Sequence, residues 1–185
     1  MKSFCFHEDA EIEEVAKAFG AEVVQRPQHL AQDESPEWLA WQHAIQSVQA
    51  KYGLFDLFLS LPTTAPLRIE EDVRKCLQHF DKNTDAVITM TAASRIPWFN
   101  MVGTDDSGNL RLLIEGNYKR RQDAPVAYDV TTLAYALRPS FILAHERIWE
   151  GRVKGVKIPK ERSLDIDVPL DLEIARYLHR KRKAS

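Results

Sequence analysis

Glycine is scarce in this chain. Seven are spread over 185 residues, and none falls in the pattern of a P-loop or a dinucleotide-binding turn, so those phosphate cradles are excluded. Cysteine is scarcer still. Cys5 and Cys76 lie among apolar neighbours and fit neither a metal spacing nor a disulfide framework. Buried free thiols in a reducing compartment are expected. A basic excess is also missing: 25 Lys and Arg stand against 27 Asp and Glu, a net charge of -2, which argues against a nucleic-acid partner. The one basic cluster, HRKRK from His179 to Lys183, ends a predicted helix, where it complements the helix dipole. No apolar run is long enough to span a bilayer, and residues 1–20 do not read as a signal peptide. A cytoplasmic protein with no membrane partner is expected. The six histidines show no ligand spacing.

What is present is an alternation of periods. KSFCF (2–6) is short and apolar, as a strand should be, and Ile12, Val15, Ala16 and Phe19 then recur at helical spacing before Gly20. AEVVQ (21–25) is strand-like. Ser35-Pro36-Glu37 reads as a helix start with Ser at the cap and Pro at the first position, followed by Trp38, Trp41, Ile45, Val48 and Tyr52 on one face. FDLFLSL (55–61) suits a strand covered on both faces. A helix carrying Ile69, Val73, Cys76, Leu77 and Phe80 and the strand DAVITMT (85–91) come next. Strand–helix alternation predicts crossover units, a mainly parallel sheet and one α/β layered domain over residues 1–185. From about 95 to 130 the pattern loosens. Two strand-like runs flank DDSGN (105–109), which predicts a hairpin standing off the sheet. TTLAYAL and VKGVKIP resume the strands, and a helix begins near Pro169.

Before that helix stands ERSLDIDVPLDLEIA (161–175). Side chains at i and i+2 of an extended strand share a face, so Asp165 and Asp167 are expected together, with Ile166 turned into the core. A strand end at the mouth of a parallel sheet is where α/β folds bind ligands. Like charges so close gain from a shared hard cation, and magnesium takes one or two carboxylates plus substrate phosphates. The other reading is that one aspartate caps the helix and its neighbour is merely solvated. On this helix, Leu170, Ile174, Tyr177 and Leu178 are expected to form the buried face.

Further stretches accompany the pair: RPQHLAQDES (26–35), PTTAPLR (62–68) directly after a buried strand, and RRQDAP (120–125). In order and spacing, from about Glu8 to Leu178, they and ERSLDIDxxxD resemble the acylneuraminate cytidylyltransferases, also called CMP-sialic acid synthetases. The resemblance implies a Rossmann-like three-layer domain of the nucleotide-diphospho-sugar transferase type. It also implies activation of a sialic-acid-like nonulosonic acid by CTP, giving the CMP-sugar and pyrophosphate. Asp165 and Asp167 match the magnesium ligands and, with Arg121, the catalytic positions. Arg26, Asp33 and Thr64 match nucleotide contacts. Gln122, Thr131, Thr132 and Pro62 match the sugar side, where Arg121 suits a carboxylate. The hairpin segment matches a dimerisation arm, so a homodimer is implied.

The departures from that pattern are specific. The family opens with a strand and a Gly/Arg/Lys-rich triphosphate loop, whereas MKSFCFHEDAEIEEVA resembles its second strand and the helix after it. A strand, helix and connections of roughly 30 residues are therefore expected to be missing, leaving the sheet short of a strand and in need of cover. Pro62 stands where the family has Gln, and Thr131-Thr132 where it has Asn-Gly. Two further readings remain alongside the enzyme: an inactive homologue acting as a dimerising or regulatory partner, and a glycosyltransferase using D-x-D with a nucleotide sugar.

Overall fold

The first strand, β1 (Phe4–His7), pairs in parallel with β2 (Glu22–Gln25), with Phe4 opposite Glu22 and Cys5 opposite Val23. The helix between them, α1 (Ala10–Ala18), starts where the Asp9 carboxylate accepts the amides of Glu11 and Ile12 at 2.9 and 3.1 Å. It ends at Gly20, whose φ of 81° is open to glycine at no steric cost. The computed structural model describes residues 2–32 and 34–183. Asp33, one of the expected nucleotide contacts, lies outside the described residues.

The remaining strands are β3 (Phe58–Ser60), β4 (Ala86–Ala92), β5 (Val102–Thr104), β6 (Leu110–Leu112), β7 (Tyr128–Leu137) and β8 (Val153–Lys157). β3, β7, β4 and β8 form a four-stranded sheet in that order, while β1 and β2 form a two-stranded sheet of their own. The larger sheet is mixed. Arg138 N donates to Asp85 O and Ala93 N to Ala127 O, so β7 runs antiparallel to β4. Ala86 N reaches Arg152 O and Ile158 N reaches Met90 O, so β8 runs parallel to β4. Among the described residues the contacts divide into two compact units. One comprises Met1–Ser60, Phe80–Val87 and Ala136–Lys154; the other comprises Leu61–His79, Ile88–Tyr135 and Gly155–Ser185.

In the first unit α2 (Glu37–Tyr52) packs its aromatic face on the strands: Phe4 against Tyr52, Phe6 against His43 and Phe58 against Trp41, with centroids 5.5–5.7 Å apart. Trp38 meets Phe141 of α4 (Pro139–Ala144) edge-on. The expected Ser35 cap is not made. Pro36 occupies the cap position without a side-chain bond, and the Ser35 hydroxyl instead donates to His29 O at 2.9 Å. β3 is also shorter and less covered than FDLFLSL suggests, its three residues each half-buried.

In the second unit α3 (Glu70–His79) follows the PTTAPLR loop and buries Asp72 and Cys76. Burial pushes the Cys76 thiol up to about 11, so it stays protonated. β5 and β6 form the expected hairpin, Val102 opposite Leu112. Its turn is held by Asp105, whose carboxylate accepts the amides of Ser107 and Asn109, with Gly108 at φ 81°. α5 (Pro169–Lys183) begins where expected, but its stripe faces outward. Leu170, Ile174 and Tyr177 are exposed, Leu178 is half-buried and Ala175 is the buried residue. Periodicity marks an apolar face without saying whether anything covers it.

Candidate active site

Asp165 and Asp167 do not lie on a strand. The segment between a 3-10 turn (Lys160–Arg162) and α5 is irregular, and among the described residues its backbone is tied to a neighbour by Ile166 N donating to Thr64 O at 2.9 Å. Ser163 sits at φ -88°, ψ 12° and the chain bends at Asp167 and Val168, so the strand expected for the pair is not formed among the described residues. Ile166 turns toward Leu67, Leu172 and Ala175, lining with them a shallow cavity of about 290 Å³. The start of α5 is capped by a third acid. Asp171 Oδ2 accepts the amides of Asp167 and Val168 at 3.0 and 2.9 Å, in the manner of a capping box. The cap bonds are thus made by Asp171, and neither Asp165 nor Asp167 serves as the cap.

Asp165 is half-buried, and its Oδ1 is buried without a hydrogen-bond partner among the described residues. An orphaned carboxylate oxygen beside a second, exposed carboxylate is a donor set for a hard cation. No group of three or more His, Cys, Asp or Glu side chains gathers among the described residues to hold a metal without help. The site fits a cation whose other ligands come from substrate oxygens and water.

The PTTAPLR loop is the wall against which this segment rests. Its Arg68 is spent on structure, donating to Leu133 O at 2.6 Å and to Pro62 O, and its burial lowers the guanidinium's pKa. Thr64 is exposed and offers its carbonyl to Ile166, and Pro62 is half-buried. Arg121 sits in a 3-10 turn (Arg121–Asp123), and its Nη2 donates to Ala93 O and Ser94 O at 3.3 and 3.0 Å, just past the end of β4. Nε and Nη1 carry no protein partner among the described residues. Gln122 is exposed beside it. Lys160 reaches Ser94 Oγ from the turn before Asp165, so the end of β4 is touched from both the Arg121 turn and the Asp165 segment.

Thr131 and Thr132 separate. The Thr131 hydroxyl is buried and donates to Thr89 Oγ1 at 2.7 Å, within a network that also includes Thr131 O and Ala134 O; Thr132 is half-buried on the other face of β7. Arg26 belongs to the first unit, where its guanidinium pairs with Glu8 at 2.5 Å.

Sequence reasoning assigned no role to Arg162, Asp72 or Lys160. The Arg162 guanidinium grips Asp72 with bonds of 2.9 and 2.7 Å. The only signal was the presence of Arg162 inside the quoted motif; its partner lies 90 positions away.

Comparison with known proteins sets this geometry in a family. No family model matches the chain. The chain is 31% identical over 172 residues to CMP-N,N'-diacetyllegionaminic acid synthase of Campylobacter jejuni, covering 91% of this chain and 72% of that protein. The chain belongs to the acylneuraminate cytidylyltransferase family. It is equally similar, 31% over 172 residues and with the same coverage, to post-translational flagellin modification protein B of Campylobacter coli. Pseudaminic acid cytidylyltransferase of Campylobacter jejuni is 26% identical over 94% of this chain and 75% of that protein. Among solved structures, a CMP:2-keto-3-deoxy-manno-octonic acid synthetase complexed with CTP superposes with a TM-score of 0.69 at 15% identity, covering 98% of this chain and 82% of that one. A 4-diphosphocytidyl-2C-methyl-D-erythritol synthase from Anaerococcus prevotii gives 0.60 at 16%, covering 91% and 76%. The cytidylyltransferase fold is thus an α/β domain with a mixed sheet, as the strand directions within this chain require.

Proposed function

We propose that this member of the family transfers CMP from CTP to a nonulosonic acid, with magnesium held by Asp165 and Asp167. The observation that carries the reading is the pair of carboxylates left uncommitted by the Asp171 cap, one with an orphaned buried oxygen, against a loop whose sequence matches the family. The anomeric hydroxyl of the sugar acid attacks the α-phosphorus of CTP, a new P–O bond forms, and pyrophosphate leaves. Chemistry of this kind asks for positioning and positive charge more than for covalent help. Magnesium bound there supplies charge neutralisation and orientation of the triphosphate.

The chain's own residues do the rest. Arg121, with its fork steadied on the carbonyls of Ala93 and Ser94, presents its remaining N–H groups to the sugar carboxylate. Gln122 and Thr132 sit on the sugar side with Pro62. Thr131 contributes by fixing β7 through Thr89. Thr64 is the nucleotide-side residue of the PTTAPLR loop. Arg26, paired with Glu8, is the nucleotide-side residue that the family motif assigns in the first unit. The protein works as a cytoplasmic homodimer joined through residues 95–130, where Val102, Leu110, Leu113 and Ile114 are exposed. No helix of the described residues is long and apolar enough to cross a membrane.

The test is pyrophosphate release from CTP across a panel of nonulosonic acids with magnesium present. Release with one or more of them is expected and should stop on chelation. No release from any of them overturns the proposal.

A further inference from the structure

We infer that Asp72 and Arg162 are a positioning pair that sets the Asp165 carboxylate for its cation; the inference rests on the reading of Asp165 and Asp167 as the metal site. Asp72 is fully buried, an unusual place for a carboxylate unless it is paired. Both its oxygens are used. Oδ1 accepts Arg162 Nη2 at 2.7 Å, and Oδ2 accepts Arg162 Nε at 2.9 Å and the amide of Ile69 at 3.1 Å. One carboxylate therefore joins the start of α3 to a residue three positions before Asp165. On the other side of Asp165, Ile166 N is bonded to Thr64 O. From α5, Arg182 Nη1 donates to Leu67 O at 3.0 Å. The segment carrying Asp165 is thus fastened, fore and aft, to residues 64–72.

What the pair contributes is direction more than strength. A buried ion pair is weak evidence for stability, because desolvation offsets much of the attraction. A bidentate guanidinium–carboxylate fork, however, fixes both distance and plane. Arg162 is held in that plane three residues before Asp165, whose Oδ1 has no hydrogen bond among the described residues to aim it. Orientation of that oxygen has to come through the backbone, and the backbone is set by the fork and the Thr64 tie. Groups that orient metal ligands in this way typically alter metal affinity by about 10–100-fold when removed.

The experiment uses the full chain and three variants: Arg162→Lys, which keeps the charge and loses the fork, Arg162→Gln and Asp72→Asn. Amide hydrogen exchange is read at Ile166 against the amides of β4. Manganese binding is followed by electron paramagnetic resonance with CTP present and no sugar acid, against a blank of CTP alone, and the magnesium dependence of pyrophosphate release is titrated. For Arg162→Lys the expected results are faster exchange at Ile166 with β4 unaltered, and manganese binding weakened about tenfold. The magnesium titration should shift by the same factor, with kcat at saturating metal largely retained. Arg162→Gln and Asp72→Asn should shift further. If those two fail to fold, Arg162→Lys carries the test. A folded Arg162→Lys variant with unaltered Ile166 exchange and unaltered manganese binding overturns the positioning role. Failure of the unaltered chain to bind manganese overturns the metal reading itself, and the two failures are therefore separable.

Discussion

The segments that carry Asp165 and Arg26 are built in different ways. The Asp165 segment lacks regular structure yet is tied at Arg162 and Ile166 to one loop and one helix start, through a fully buried carboxylate and a backbone bond. Arg26 stands at the end of a regular strand pair, and its side chain rests on a single exposed partner, Glu8. Order in the backbone ladder and order in the functional side chain are thus decoupled here. The Asp165 segment is preset by tertiary bonds, whereas the Arg26 side chain is held by one exposed ion pair.

The widest predicted gap between them is in stability. Asp72→Ala strips Arg162 of its buried partner and α3 of its cap, so a loss of about 3 kcal/mol is expected by chemical denaturation, as for a broken buried pair. Arg26→Ala should cost about 0–1 kcal/mol, as for exposed pairs. Equal losses would erase the contrast.

Activity comes next. Asp165→Asn is expected to slow pyrophosphate release about a hundredfold or more, on the scale of removing a preorganised charge-stabilising group, with circular dichroism unchanged. A wild-type rate would remove Asp165 from the chemistry. For Arg26→Ala a rise in KM for CTP of about tenfold with kcat nearly kept is expected, the signature of lost binding shared by ground and transition states. A fall in kcat alone would place Arg26 differently.

The smallest effect concerns acid. Asp85 is held down to about 2 by hydrogen bonds from the Arg152 side chain and backbone, against an ordinary value of 3.8. A lowered carboxylate contributes stability that is complete above its unfolded value and lost as pH falls through the folded one. Denaturation midpoints should therefore be insensitive to this pair above pH 4 and decline from there toward 2, a decline that Asp85→Asn should make shallower.

Much of the fold was legible because local pattern and final environment agree. The apolar runs at 2–6 and 85–91, the turn acids at 105–109 and the Pro at 169 all meet the strand, hairpin and helix they predict. The site was legible only in part. L-D-I-D-V alternates in polarity as a strand does, but the chain there is irregular, tied at the Ile166 amide and bent at Asp167, because alternation reports polarity and not a ladder. The direction of β7 left no trace, since a strand reads alike in either sense. Thr131 and Thr132 are identical in sequence, and only the position of Thr89 opposite one of them makes their roles diverge. The Asp72–Arg162 fork joins residues too far apart in sequence for any local period to register.

The cap supplied by Asp171 has a consequence for a protein that must take up and release its charged ligands many times. Had Asp165 or Asp167 served as the anchor of α5, every departure of the cation would have been free to compete with the helix for the same oxygen. Because a separate acid closes the first turn, the oxygen that holds the helix belongs to neither of the two proposed ligands. A cation held as proposed would leave the cap oxygen untouched and would reach the helix only through the Asp167 amide.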